Sequence, residues 1–403
     1  MKLRIFNYLI LLTLFTSAQN NFFKPDTIKH QLIINSFGGI ASSSITQNFM
    51  NKFIFPGSIN KELKDEVSSN MNPQNLFGGE FSNDIHFYLR PGSLTENGFW
   101  GIGFGHNSEL NIKFTRDLFN LTFYGNQPYA GEKLDFNNTS FNLLSYSYLD
   151  FTLGKIYIKD NSTRSYWIDL GVILGHSYMK YDFPIADLFT ESNGNYLDFS
   201  ISNGEVSIID KLNDGFIKGF GGKINLNYSY TSEKTNLIIQ AKNIGAIHWN
   251  SLMSSNLDTT FRFEGIEVGN IFELSDSVIN EVDILDTLVA SRKNSSFALL
   301  PIDLNVYYKR KLGKSSIDLF MRHRLFTNYN PYVRVGFYYQ LPILTPGFTL
   351  GYGGYSTTQI GVNTELNFRE KLKIILGTNN IIGAFVNQKS MALDAYLGLK
   401  LSI

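Results

Sequence analysis

Residues 357–368 read TTQIGVNTELNF. Taken alternately, Ile360, Val362, Leu366 and Phe368, with Thr364 among them, fall on one side of an extended chain, and Gln359, Gly361, Asn363, Glu365 and Asn367 on the other. A period of two with one dry and one wet face predicts a strand. The pattern recurs along most of the chain. Ile302, Leu304, Val306 and Tyr308 oppose Asp303, Asn305, Tyr307 and Lys309; Ile317, Leu319 and Met321 oppose Asp318, Phe320, Arg322 and Arg324; Val333, Val335, Phe337 and Tyr339 oppose Arg334, Gly336, Tyr338 and Gln340. It returns around 168–175, 223–228 and 396–403. The short polar connections KDNST (159–163), TSEKT (231–235), LGKSS (312–316) and FREK (368–371) make hairpins the expected joints rather than parallel crossovers.

A soluble sheet puts its apolar face on a core; a membrane barrel puts it on lipid and keeps the polar face in the lumen. About 16 candidate strands can be drawn, weak ones falling near 111–124 and 258–266, and a bilayer needs strands of ~9–11 residues. So many two-faced strands in a soluble sandwich would require a very large shared core. The predicted fold is therefore all-β, a transmembrane antiparallel barrel of about 14 strands (14–16), closed on itself as one domain.

The start of the chain points the same way. Lys2 and Arg4 precede an apolar run from Ile5 to Phe15, followed by Thr16, Ser17 and Ala18, the layout of a secretory leader with cleavage expected after Ala18. Only 17% of residues are charged, and there is no Cys, so neither disulfide staples nor thiolate metal ligands are available. Without Lys2 and Arg4 the balanced charge becomes −2, which gives no bias toward nucleic acid.

Two regions break the alternation. Residues 19–82 hold one alternating run, QLIINSFGG, and then SINKELKDEVSSNM, where Ile59, Leu63 and Val67 have helical spacing; this segment is expected to plug or cap the lumen. Residues 266–299 place Val278, Val282, Leu285 and Val289 on one helical face, an expected surface loop. FTRDLFNLTFYGN (114–126) reads equally as a strand or a short helix. The expected organisation is a leader over 1–18, a plug or hatch-like segment over 19–82 and the barrel over 83–403.

Local catalytic motifs are missing: there is no GxSxG, HExxH or P-loop, and none of the six histidines forms a close pair with metal-ligand spacing. A hydrolase on a barrel wall could assemble without a local motif, and His106 near Asn107 and Ser108, and His176 beside Ser177, are the hints of one. Adjacent strand residues point to opposite faces, which argues against a His176–Ser177 pair. The chain is read as a non-enzyme, without cofactor or metal. The glycines of GYGGYS (351–356) are read as a turn. Asp303, Asp318, Arg322, Arg324 and Arg334 share the luminal parity, joined by Lys309, Asp394 and Lys400; charges of both signs on neighbouring strands predict a paired network bracing the barrel, not an ion-selective ring.

Six stretches carry a likeness to a known group: FGGEFSNDIHFYLRP (77–91), FYGNQPYAGEKLDF (123–136), IGAIHWN (244–250), FRFEGIEV (261–268), GYGGYS (351–356) and NNIIGAF (379–385). The chain resembles a family of uncharacterised outer-membrane barrels common in Bacteroidota, itself similar to FadL-like transporters of hydrophobic compounds. FadL-type proteins carry an N-terminal hatch and often Asn-Pro-Ala near the start; here Asn72-Pro73-Gln74 departs at the third position. The resemblance implies an outer-membrane location, lipid as surroundings, and a channel or binder for a hydrophobic small molecule. The alternative it implies is a non-transporting partner barrel in a larger outer-membrane complex, as in type IX secretion.

Overall fold

A computed structural model describes residues 24–25, 30–54, 57–90, 97–209, 215–264, 293–368, 371–382 and 391–403. The expected leader over 1–18 and the helical face at 278–289 lie outside the described residues. In chain order the strands are β1 (His30–Ser42), β2 (Gln74–Leu89), β3 (Gly98–Thr115), β4 (Lys133–Asp135), β5 (Thr139–Lys159), β6 (Ser162–Phe183), β7 (Ile185–Thr190), β8 (Tyr196–Ile209), β9 (Gly219–Ser232) and β10 (Thr235–Glu264). They continue as β11 (Lys293–Leu299), β12 (Ile302–Leu312), β13 (Ser315–Leu325), β14 (Asn330–Tyr339), β15 (Leu344–Gly354), β16 (Thr358–Phe368), β17 (Leu372–Thr378) and β18 (Ala392–Ser402).

These strands close into an antiparallel barrel of 14 positions. The seam is made by β1, which pairs with β18 from Gln31↔Ser402 to Ala41↔Ala392 and on its other edge with β2. Two positions are shared by strand pieces. β8 and β9 follow one another along the edges of β6 and β10, and β11 and β12 follow one another along β10, broken at Leu300 and Pro301, where proline has no N–H for the ladder. Short turns and the C-terminal residue mark one end of the barrel; the longer connections gather at the other.

Alternation sorts the faces as the sequence predicts. Val333 and Phe337 are exposed on the outside while Arg334 between them is buried, and on β16 Val362 faces out while Gln359 and Gly361 face in. His323, between outward Met321 and Leu325, sits on the outer face. Exposed Ile85, Phe104, Phe151, Leu170, Leu226, Val306, Phe348 and Leu376 carry the apolar girdle around the ring.

The plug expected over 19–82 is corrected in its layout. β1 and β2 are wall strands, so the boundary drawn at residue 83 falls inside β2. The QLIINSFGG run has backbone partners on both edges, and this pairing holds it in the wall. Between the two strands, α1 (Gln47–Ile54) and α2 (Lys61–Ser69) form a cap at the elaborated end, where Asn60 accepts the Leu63 N–H at 3.1 Å and Leu63 and Val67 are buried. The ambiguous 114–126 stretch becomes the end of β3 and then α3 (Arg116–Tyr124), capped by Thr115 accepting the Leu118 N–H at 3.1 Å. Phe49, Leu63, Val67, Phe114, Phe119 and Phe123 join the three helices in one apolar cluster. Beside it β4, β7 and β8 form a lobe with the distal half of β10, cored by Leu134, Phe136, Leu188, Ile201 and Leu257. Gly353 and Gly354 have φ of 105° and 75°, the left-handed backbone that lets β15 turn toward β16.

Candidate functional site

Inward side chains meet across the lumen. Arg322 and Arg324 of β13 both grip Asp303 of β12 at 2.9–3.0 Å, each through two nitrogens. Those guanidiniums also cross to the far wall, where Arg322 reaches Glu80 of β2 at 3.0 Å and Arg324 reaches Glu80 at 3.1 Å and Glu109 of β3 at 3.3 Å. Tyr329 lies under both, 5.5 and 5.7 Å from the guanidinium carbons to the ring centre. Two arginines and three carboxylates at this level leave the group close to charge balance, which a buried ionic cluster requires.

Asp318 and Arg334, the other two expected members, form a separate group. Their closest approach is 3.5 Å, and Asp318 accepts the Tyr338 hydroxyl at 2.7 Å. Lys309 lies 4.5 Å from the centre of the Tyr338 ring, and Asp394 is held by the Asn379 N–H at 2.7 Å and by the Asn380 side chain. A third group, not foreseen, joins Lys223 of β9 to Asp150 of β5 at 3.1 Å, with the ammonium 3.3 Å from the centre of the Tyr148 ring. Nearby Asp169 accepts from Thr152, Asn225 and Asn227.

Near the end that carries the C-terminus, Lys24 crosses the lumen: its ammonium donates to Ser229 at 3.2 Å and to Thr231, both on β9, while its carbonyl accepts from Lys400 of β18 at 3.1 Å. Arg324, Arg334, Asp150 and Asp318 are each about 1% exposed, so these levels are filled with side chains. A cleft of ≈ 40 Å³ lies beside the upper cluster, lined by Glu80, Tyr329, Tyr332, Tyr355 and Asp394 among others, room for a water or two. Among the described residues no group of three His, Asp or Glu side chains is placed to hold a metal ion.

Strand parity placed each expected luminal charge on the inner face. It missed Glu80 and Glu109: their own alternation with Asp84 and with Asn111 was readable, but no local rule says which strand lies across a closed ring. Lys223 and Asp150 carried the same parity signal, and their pairing depends on β6 lying between β5 and β9.

A model of a family of unknown function (DUF5723) matches residues 25–174, which include the resembling stretches 77–91 and 123–136. No curated protein matches the sequence. Among solved structures the chain is similar to a TodX deltaS2S3 mutant monoaromatic hydrocarbon channel, at 9% identity and a TM-score of 0.42, covering 94% of this chain and 92% of that one. It is also similar to the toluene transporter TodX of P. putida (10%, TM-score 0.39, covering 94% and 89%). A third is the outer membrane phospholipase A from Escherichia coli (10%, TM-score 0.30, covering 83% and 92%).

Proposed function

We propose that the chain spans an outer membrane with its apolar girdle on lipid, and that it is a channel or binder for small hydrophobic compounds that opens only when its lumen rearranges. The girdle supports the placement, because a continuous outward band of Ile, Leu, Val and Phe around a closed barrel requires an apolar surrounding. The single observation that carries the functional part is the bridge from Arg322 and Arg324 to Glu80 and Glu109. It denies hydrated ions a path, while Tyr146, Ile173, Ile247, Trp249 and Leu300 give the neighbouring inner wall an apolar, aromatic character suited to an uncharged guest.

The test uses the purified full chain in planar bilayers and in detergent. The expected result is no porin-like conductance, together with a saturable change in tryptophan fluorescence on adding toluene, reporting Trp249, which is abolished in Trp249→Phe. Porin-like conductance of the intact chain, or a strictly linear fluorescence response, overturns the reading. The same closure favours a second reading, a non-transporting partner barrel of a larger outer-membrane assembly; stable co-purification with that assembly and no toluene response would select it.

A further inference from the structure

On the outer face the apolar pattern gives way to polar side chains across three neighbouring strands. Along β3 the exposed Ile102 and Phe104 give way to His106 and Ser108, and along β5 Phe151 and Leu149 give way to Ser147 and Ser145. Next to them β6 has a bulge: Ser145 pairs with Ser177 and Tyr146 with Gly175, which leaves His176 as an extra residue turned to the outside. The five side chains lie in hydrogen-bonding contact at the girdle's edge, on the side away from the short turns. His106 Nδ1 is 3.1 Å from Ser147 Oγ and its Nε2 3.0 Å from Ser108 Oγ; His176 Nε2 is 2.8 Å from Ser147 Oγ and its Nδ1 3.1 Å from the Phe216 carbonyl; Ser108 Oγ is 2.8 Å from Ser145 Oγ.

One fixed end orients the whole chain of bonds. A carbonyl oxygen only accepts, so Nδ1 of His176 carries the proton toward Phe216. Nε2 of the neutral ring then accepts the proton of Ser147. That hydroxyl has spent its proton, so it accepts from Nδ1–H of His106, and Nε2 of His106 is left as an acceptor facing the hydroxyl of Ser108. Ser145 Oγ lies 2.8 Å from Ser108 Oγ and 3.5 Å from the same Nε2; with the shorter contact, at 3.0 Å, taken by the proton of Ser108, Ser145 donates to Ser108 Oγ. A serine hydroxyl aimed at an imidazole lone pair, with the opposite ring nitrogen held by a third group, is the arrangement that activates a nucleophile.

We propose that Ser108 and His106 form an acyl-ester hydrolase site on the outer wall, with Ser147 and His176 positioning the base, and that its substrates are glycerophospholipids or their lyso forms. The membrane placement above is assumed; the luminal reading is not. The substrate class follows from depth: the site borders the girdle, and in a bilayer the ester bonds of such lipids lie at the border between hydrocarbon and headgroups, so their acyl chains would run along Phe104, Leu149 and Val172. In the first step Ser108 Oγ bonds to the ester carbonyl carbon, its proton passes to His106 Nε2, and Ser145, released from Ser108, is the nearest hydroxyl donor to the developing oxyanion. The carbonyl–alkoxy bond then breaks and the alcohol leaves with the proton from His106. Water, deprotonated by His106, cleaves the acyl-serine to free acid and restores both groups.

The experiment uses the full chain in mixed micelles with a fluorogenic phospholipid, and intact-mass detection of labelling by an alkyl fluorophosphonate. Expected are labelling and fatty-acid release that Ser108→Ala removes and that His106→Asn lowers by roughly 10²–10⁴-fold. Ser147→Ala should shift the pH–rate profile while the heat-resistant barrel band persists, and Ser177→Ala, outside the bonded chain, should match the parent. Release no greater than that of folded Ser108→Ala, or labelling that survives Ser108→Ala, overturns the proposal. Toluene binding and bilayer conductance should be the same in Ser108→Ala as in the parent, so the two readings fail separately.

Discussion

Arg324 Nη1 stands 3.3 Å from Glu109 Oε2, a contact that joins β13 to a strand on the opposite wall of the barrel. The same guanidinium also serves Asp303 and Glu80. One cation therefore separates three carboxylates at a level where Arg324 is 1% exposed.

Arg324→Met should therefore cost about 3–5 kcal/mol, since it leaves buried Glu109 without its cation and Asp303 and Glu80 with Arg322 alone. Urea unfolding in detergent micelles measures it. Glu109→Gln in the same chain should restore part of the loss; a double variant no more stable than the single would mean that Glu109 gains nothing from Arg324.

Val335→Arg, on the outer face of β14, should cost about 2–4 kcal/mol in lipid. Asn305→Ser, on the inner face of β12, should cost far less. Folded fractions in vesicles across a denaturant series compare them, and equal costs would contradict the assignment of faces.

A Cβ on Gly78 would fall on the ring of Tyr355, which is buried between β2 and the turn after β15. Gly78→Ala should destabilise by about 1–3 kcal/mol through overpacking. Tyr355→Leu should relieve part of that cost, read as the temperature at which the compact band is lost on a gel.

Tyr124 on α3 donates to Asp65 on α2 at 2.7 Å, and burial together with that bond pushes its hydroxyl above the ordinary tyrosine value. A raised pKa means the bond's contribution is complete below about pH 10 and is lost as pH climbs through the higher folded value. Protection factors over residues 61–69, taken relative to the base-catalysed exchange of the unfolded peptide, should fall as pH climbs past that point, and Tyr124→Phe should flatten that fall.

Period two made the barrel readable, because each strand's lumen and girdle residues are written side by side, as in Val333, Arg334 and Val335. The pairing of Asp303 with Arg322 and Arg324 was also within reach, since β12 and β13 are a hairpin. What stayed hidden depends on distant strands. β1 was assigned to a plug because a helical stretch follows it, and only β18, the last strand, shows that it belongs to the wall. Alternation places Gly336 on the inner face but says nothing of the crowding there, where a Cβ would strike Asp318 and Tyr338. Alternation argues only against a His176–Ser177 pair, and His176 instead bonds Ser147 on the next strand; what alternation cannot show is the bulge that turns His176 outward to meet it.

Lys24 lies between β9 and β18, held by hydroxyls of the one and by Lys400 of the other. The strand bearing Lys400 is also the one whose pairing with β1 shuts the ring. That strand is therefore tied to the front of the chain twice, at its edge by the ladder to β1 and on its inner face by Lys24, so the element that completes the wall also fixes a residue inside it.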